Sequence, residues 1–423
     1  MWLRLAALAA FVAVSVAPAR AQPSVVLSLD DAFARVARTH PDLRLVDGQQ
    51  RVLAAEAEVA ALRPGLTAGA SVENALGTGD VSGFGGAEIS LTLAGVLERG
   101  GKWDARRTLA QSRIDALAVQ RETRRLDLLA EVARRYLAIT AAQRQRVVAL
   151  DDIEQRTRTV AAARQRLAAG ASPESVLLTA QAALTRAELE RDRADRLLMS
   201  ARQHLAALWG ERDPGFDTVA GNPLALPAVA DFGELAALLD STPELARFAD
   251  ERRIREARVQ LARSERSANV DWQFGVRRLQ ENGDTGLMAS VAIPLGSARR
   301  AEPGIRAAEA ELALVEIERE AEGLALYSTL AEAHGRYRTA QFEAKRLDEA
   351  VLPKLAKAER AAERAYRAGA ISYLEWAQLQ SERTSARRQQ LDAALDAQRA
   401  LIEIQRLTGQ PFVAAAPAQG TSP

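Results

Sequence analysis

No cysteine occurs among the 423 residues, which excludes a disulfide framework, a thiolate metal site and an acylated cysteine at a mature N-terminus. Lysine is scarce as well: Lys102, Lys345, Lys354 and Lys357 are the only basic residues that are not arginine, a bias of composition and not a sign of guanidinium chemistry. Charge of one sign is also lacking, with 56 basic against 55 acidic residues and a formal net charge of +1. Nothing electrostatic therefore points to nucleic acid. The apolar run from Leu5 to Val16 is about 12 residues long, short of the roughly 20 that span a bilayer. Preceded by Met1-Trp2-Leu3-Arg4 and followed by Ala19-Arg20-Ala21, it predicts a cleaved secretory signal over residues 1–21, with the mature chain starting near Gln22 outside the cytoplasm. Catalytic signatures are missing: there is no Gly-rich phosphate loop, no H-E-x-x-H and no G-x-S-x-G. His40, His204 and His334 are scattered along the chain and, with three methionines, offer no metal-ligand cluster. No enzyme, cofactor or resident metal is expected.

Aromatics make up 4% of the chain although 48% of it is hydrophobic, and alanine supplies most of the difference. A compact globule fills its core with larger side chains. Alanine-rich, charge-rich sequence with heptad spacing predicts long helices packed side by side, in an elongated molecule.

What the chain does contain is an internal duplication. His40-Pro41-Asp42-Leu43 recurs as Thr242-Pro243-Glu244-Leu245, Gly95 at a strand exit recurs as Gly296, and Ala169-Gly170-Ala171 recurs as Ala368-Gly369-Ala370. The offsets of 202, 201 and 199 residues keep the halves nearly in step. The first repeat covers 22–210 and the second 231–410, joined by a Pro- and Gly-rich linker at 211–230, with a disordered tail expected at 411–423.

Within each repeat the order is helix, two strands, very long helix, shorter helix. The long helices are predicted at about 102–169 and about 300–368, each roughly 100 Å long. In the second, a seam of Leu330, Ala333, Tyr337, Ala340, Ala344, Leu347, Val351, Leu355, Ala358, Ala362 and Ala365 advances by threes and fours. Pro353 should bend or locally open it. The returning helices, Pro173 to Trp209 and Ser372 to Thr408, cover only half of each long helix. Residues 29–63 and 231–268 have the length to stack on them and complete the row. Ser28 with Asp31 forms a capping-box start, and Pro41 and Pro243 suit first helical turns.

The strands are predicted at about 66–76 and 86–95, then 269–279 and 286–295. Leu66, Ala68, Ala70 and Val72 alternate with Thr67, Gly69, Ser71 and Glu73, and Ile89, Leu91 and Leu93 with Glu88, Ser90 and Thr92. Val270, Trp272, Phe274 and Val276, and then Leu287, Ala289, Val291 and Ile293, repeat the pattern. Period two with one apolar and one polar face suits a soluble sheet wet on one side, and equally a membrane barrel with a wet lumen. The polar loops Gly77 to Gly86, with Asp80, and Gln280 to Gly286, with Asp284, suit either. Four strands cannot close a barrel, whereas four from each of three chains give an even-numbered barrel of the bacterial kind.

Four segments resemble the TolC-type outer membrane factors. HPDLRLVDGQQRVLAAEAEVAALRPGL at 40–66 is similar to the family's repeat opening and ERGGK at 98–102 to its barrel-to-helix junction. RLAAGASPESVLLTAQ at 166–181 and AYRAGAISYLEWAQLQ at 365–380 are similar to its helix-hairpin tips. The resemblance implies a mainly α fold with a transmembrane β element, built as a trimeric 12-stranded β-barrel in the outer membrane and continued by an α-helical barrel across the periplasm. It further implies a passive duct working with a periplasmic adaptor and an inner-membrane pump. The ERGGK form resembles the heavy-metal branch, with resistance-nodulation-division pumps as partners; multidrug efflux and type I secretion stay open. Without the resemblance, the residues also allow a soluble periplasmic coiled-coil scaffold or adaptor.

Candidate working residues follow from place. Gly100 and Gly101 would relieve the backbone at the junction. Gly170 and Gly369 suit left-handed helix ends, and with Arg166, Leu167 and Arg367 are the expected adaptor contacts. Glu375 stands where the family often carries an acid at its periplasmic entrance, and Gln378 where some members have a second. Three copies of Glu375 would form a cation-attracting ring, partly protonated by mutual repulsion. Tyr373, Glu375 and Trp376 distinguish the second tip from Pro173 and Glu174 at the first, so the moving part of the gate is expected at the second.

Overall fold

The computed structural model describes residues 26–412, so the expected signal segment and nearly all of the expected tail lie outside the described residues. β1 (Val26–Leu27) leads into α1 (Leu29–Thr39) and α2 (Pro41–Ala60), followed by β2 (Thr67–Glu73) and β3 (Glu88–Leu97). α3 (Lys102–Asp115) and α4 (Leu117–Ala168) form the first long helix, from which α5 (Glu174–Ala206) returns. After β4 (Thr218–Val219) come α6 (Phe232–Leu238), α7 (Pro243–Ser264), β5 (Val270–Leu279) and β6 (Thr285–Ala292). α8 (Ser297–Arg346) and α9 (Leu352–Arg367) form the second long helix, and α10 (Tyr373–Thr408) returns from it.

Local chemistry sets the ends. Ser28 Oγ accepts from the Asp31 amide at 3.1 Å and donates to its carboxylate at 2.6 Å, which starts α1. His40 ends α1 and caps α2, its Nδ1 accepting from the Asp42 amide at 3.2 Å. Pro41 and Pro243 sit in first turns, where a missing N–H costs no intrahelical bond.

The four long strands form one antiparallel sheet in the order β2-β3-β5-β6. Its register lines up Ala70, Leu91, Val276 and Leu287 in one cross-strand row and Ala68, Leu93, Phe274 and Ala289 in the next on the same face. Gly69, Thr92, Gly275 and Met288, then Ser71, Ser90, Arg277 and Gly286, line the other. The apolar face is uncovered, with Leu287 90% exposed. On the polar face Arg277 bridges to Glu88 at 2.8 Å and donates to Ser90 Oγ at 3.1 Å.

Helices continue the sheet in the same order. Nearest the strands the row is α2-α3-α7-α8, and beyond the midpoint it is α5-α4-α10-α9. Each long helix thus runs the full length beside two half-length partners stacked end to end. Mid-way, β1 pairs in parallel with β4, two residues each and too short for a periodic signal. This strap is pinned by Tyr136, whose hydroxyl lies 2.9 Å from the Leu27 carbonyl and 2.7 Å from that of Ala220. Tyr337, 201 residues later, does the same for the linker by donating to the Pro227 carbonyl.

Three expectations change. Gly95 lies inside β3 beneath the Trp272 ring, where a Cβ would come within 2.7 Å. The counterpart of Gly296 is instead Gly101, since both are left-handed residues opening a long helix, at φ 77° and 74°. α8 starts earlier than about residue 300 and passes through Pro303, which removes only the bond to the Arg299 carbonyl near the exposed helix start. Pro353 does open its helix, as a π turn over Leu347–Val351. Having no N–H for the Glu349 carbonyl and crowding it, the proline favours a wider turn that holds one extra residue. The seam therefore slips by one: Leu347 is buried, but Val351 is 38% exposed, and Glu359 and Tyr366 are buried in place of Ala358 and Ala365.

Candidate functional site

The junction between sheet and helices is built from the first repeat. Gly100 and Gly101 are both left-handed, at φ 79° and 74°. A Cβ on Gly100 would lie 2.5 Å from Ser267 Cβ and 2.8 Å from the Ser264 carbonyl, whereas Gly101 faces open space. Lys102, only 6% exposed, donates to Asn269 Oδ1 at 2.9 Å and lies 3.0 Å from Glu265. Arg106 grips Glu98 through two bonds of 2.5 and 2.8 Å and reaches the Leu62 carbonyl at 3.3 Å. Trp103 Nε1 donates to the Ala61 carbonyl at 2.6 Å. The end of α2, the exit of β3, the start of α3 and the approach to β5 are thereby fixed to one another. The second junction has the local bonds of Ser297 to Pro294 and Arg300 to Leu295, and one longer link, Arg266 to Glu302 at 3.8 Å.

At the far end, Gly170 and Gly369 end their helices in the left-handed conformation, at φ 67° and 78°. Arg166 joins the tips: it donates to the Tyr366 carbonyl at 2.6 Å and to the Ala171 carbonyl at 3.3 Å, with its guanidinium 5.0 Å from the Tyr366 ring centre. Leu167 is half-buried; Arg367 is exposed and pairs at 2.7 Å with Glu363 on its own helix. Glu375 is exposed and completes a capping box, its carboxylate accepting from the Ser372 amide and hydroxyl at 2.8 Å each. Those bonds hold its carboxyl below the ordinary range. Gln378 donates to Glu382 at 3.2 Å. Arg166 and the Gly369 amide thus share the Tyr366 carbonyl, while Arg367, Glu375 and Gln378 each bond within their own helical segment.

Behind the tips runs a seam of another character. Each hairpin is closed internally by apolar side chains, such as Ala163 with Ala180, and Tyr337 with Leu401 and Ile404. Between the hairpins, α4 meets α10 through apolar contacts at either end, Ala130 and Ala133 with Ile402 and, near the tips, Val160 and Ala163 in one cluster with Tyr366 and Trp376, and through polar groups along the stretch between. Arg387 pairs with Asp151 at 2.6 Å, Thr384 donates to Asp152 at 3.0 Å, and Arg156 reaches Ser381 at 3.1 Å. Gln380, 1% exposed, donates to Thr159 at 2.8 Å. Further up, Arg406 lies 3.1 Å from Asp127, 2.9 Å from Glu403 and 3.4 Å from Glu244, whose second oxygen has no hydrogen-bond partner among the described residues. Burial pushes the Glu244 carboxyl up, against the pull of Arg406.

The sequence matches the model of the outer membrane efflux protein family across residues 3–211. Over that stretch the chain is similar to this family. It is 28% identical over 314 residues to the cobalt-zinc-cadmium resistance protein CzcC of Cupriavidus metallidurans, covering 74% of this chain and 75% of that one. Its fold is similar to that of the outer-membrane channel OprN, at TM-score 0.75 and 19% identity over 91% of this chain and 90% of the other. CusC gives TM-score 0.74 at 17% identity, over 91% and 92%.

The sequence signals marked Trp376 as a feature of the second tip but missed Tyr366 and the polar seam. The pairing of Tyr136 with Tyr337 at the repeat offset was a readable sign of shared anchoring. Polar residues at helix-packing spacing in α4, Asp152, Arg156 and Thr159, were the sign of the seam. Among the described residues no group of three or more His, Asp or Glu side chains could hold a metal ion. No described helix is long and apolar enough to cross a membrane.

Proposed function

We propose that three copies of this efflux channel assemble into a passive duct that carries heavy-metal cations out across the outer membrane. The observation that carries the reading is the sheet: one uncovered apolar face, with Leu91, Phe274, Leu287 and Val291 from 57% to 90% exposed among its members, and two unpaired edges, β2 and β6. Lipid accounts for the face. A neighbouring copy accounts for the edges, β6 of one chain pairing with β2 of the next. The helix row supports the same join, since α2 and α8, below those two strands, carry the exposed apolar residues Leu45, Val52 and Val59, and Ile317 and Leu324. Each set repeats at seven residues, the spacing of a helix-packing seam.

Heavy-metal cargo is proposed from the likeness to CzcC over most of both chains. The pump supplies energy and selects the ion; this chain supplies a path. The tips, with Arg166, Leu167, Gly170, Arg367 and Gly369, are proposed to meet the periplasmic adaptor, and the second tip, with Glu375 and Gln378, to form the gate. Exchangeable polar bonds along the middle of the seam, beside the apolar contacts that also join the hairpins, would let the second swing while each stays intact.

Membrane fractionation with heat-modifiable, trimeric migration is the expected behaviour; a soluble periplasmic monomer would sink the reading. Sensitivity of a deletion strain to cobalt, zinc and cadmium tests the cargo, with unchanged metal sensitivity and new drug sensitivity pointing to multidrug export. Glu375→Gln should lower cation conductance in planar bilayers, and unchanged conductance and cation dependence would end the ring idea.

A further inference from the structure

The belt where sheet passes into helices carries unbalanced charge. Leu66, Leu97 and Leu295, exposed by 65%, 58% and 86%, form the lower rim of the apolar face. Arginine stands close to each in the chain: Arg63 precedes Leu66, Arg99 follows Leu97, and Arg299 and Arg300 follow Leu295. Two to five residues of chain keep these within about 15 Å of the rim. Arg107 and Arg306 lie in the helices just beyond.

All six guanidiniums are exposed, and among the described residues none forms an ion pair. Their neighbours behave otherwise: Lys102, Arg106, Arg263 and Arg266 are matched with Glu265, Glu98, Glu309 and Glu302. Against the six, the belt offers three carboxylates without an ion pair among the described residues, Glu58, Asp104 and Asp271. In a chain of net charge +1 this is a local excess. Arg63 and Arg107 lie 5.5 and 4.4 Å from the Trp103 ring centre. A guanidinium stacked on an aromatic ring keeps its N–H edge free for a planar bidentate bond to phosphate.

We propose that this belt is a collar for anionic phospholipid headgroups of the periplasmic leaflet. The inference rests on the membrane reading above. Phospholipid matches both halves of the surface, acyl chains against Leu97 and Leu295 and phosphate against the arginines directly below; a free anion would use only the second half. Bound headgroups would fix the depth at which the duct sits.

The test uses the full-length trimer in mixed micelles with phosphatidylglycerol or phosphatidylcholine, read by Tm and by lipid adducts in native mass spectrometry. Wild type should retain phosphatidylglycerol preferentially. Each arginine removed should cut that preference about fivefold, the equivalent of about 1 kcal/mol per basic residue at an anionic surface. The combined variant Arg63→Gln, Arg99→Gln, Arg299→Gln, Arg300→Gln should lose nearly all of it, and single Arg99→Gln gives the same direction where the combined one folds poorly. Equal retention of both lipids by wild type, unchanged preference in the variants, or an equal Tm rise with inorganic phosphate alone would overturn the collar. Unaltered heat-modifiable migration with lost preference supports it. Wild type that inserts into vesicles of neither lipid would instead bring down the membrane reading, and the collar with it.

Discussion

Arg166→Ala removes a side chain that ties the two helical tips together, and its effect can be worked out from the contacts. The guanidinium is half-buried, so its bond to the Tyr366 carbonyl belongs at the low end for charged donors, about 1.5 kcal/mol. Its stacking on the Tyr366 ring adds about 0.5 kcal/mol. No orphan penalty arises, because the Tyr366 carbonyl keeps the Gly369 amide at 3.0 Å. The loss of about 2 kcal/mol shifts the balance between joined and parted tips roughly 30-fold. If a gate opens by parting the tips, a rarely open duct becomes one that opens often in single-channel recordings. Arg166→Lys, keeping charge but not the planar stack, should fall between. Thermal stability should change little, since Tyr366 and Trp376, 2% and 1% exposed, remain in place. An open probability within about twofold of wild type would refute the reasoning, because the tie would then have no part in holding the tips.

Gly100→Ala should destabilise far more than Gly101→Ala. Both carry the left-handed penalty of about 1 kcal/mol, but only the first drives a methyl into Ser267; equal shifts in urea midpoint would refute the crowding. Tyr136→Phe should cost about 1 kcal/mol or more in unfolding free energy, and Tyr337→Phe less, because Gln341 also donates to the Pro227 carbonyl at 3.1 Å; the reverse order would refute the anchoring roles. Glu244 has a folded value raised above its ordinary 4.5. The neutral form's contribution is therefore complete below the unfolded value and is lost as pH rises through the folded one. Glu244→Gln should raise Tm at neutral pH with a gap that closes toward pH 4, and a gap that widens on acidification would contradict this.

The large elements were legible because their signals are long. Heptad seams and two alternating strand pairs extend well beyond the few residues over which local preference is ambiguous, and Gly170 and Gly369 punctuate them. What escaped the sequence was short or relational. β1 and β4 are two residues each. The slip of the seam after Leu347 depends on how a helix absorbs Pro353, which spacing alone does not record. The assignment of Gly95 failed because a glycine under Trp272 and a glycine opening a helix look alike in sequence. Glu375 could be located as the third residue of its helix, and its engagement by Ser372 was readable from the same spacing as Ser28 with Asp31, though it was not drawn from the sequence. The contact of Arg166 with Tyr366 spans 200 residues and has no periodic signature.

The two halves are unequal below their tyrosine anchors. From Tyr136 to Gly170 is 34 residues, and from Tyr337 to Gly369 is 32, one of them spent in the π turn. At 1.5 Å per residue the second hairpin stops about 5 Å short of the first. The Arg166 side chain agrees, since it lies level with Gly369 while its own tip is four residues further on. In a threefold assembly the rim would be serrated, with three teeth projecting and three recessed. A ring of six identical docking partners could not seat evenly on such an edge; it would have to tilt alternate members or engage in two heights.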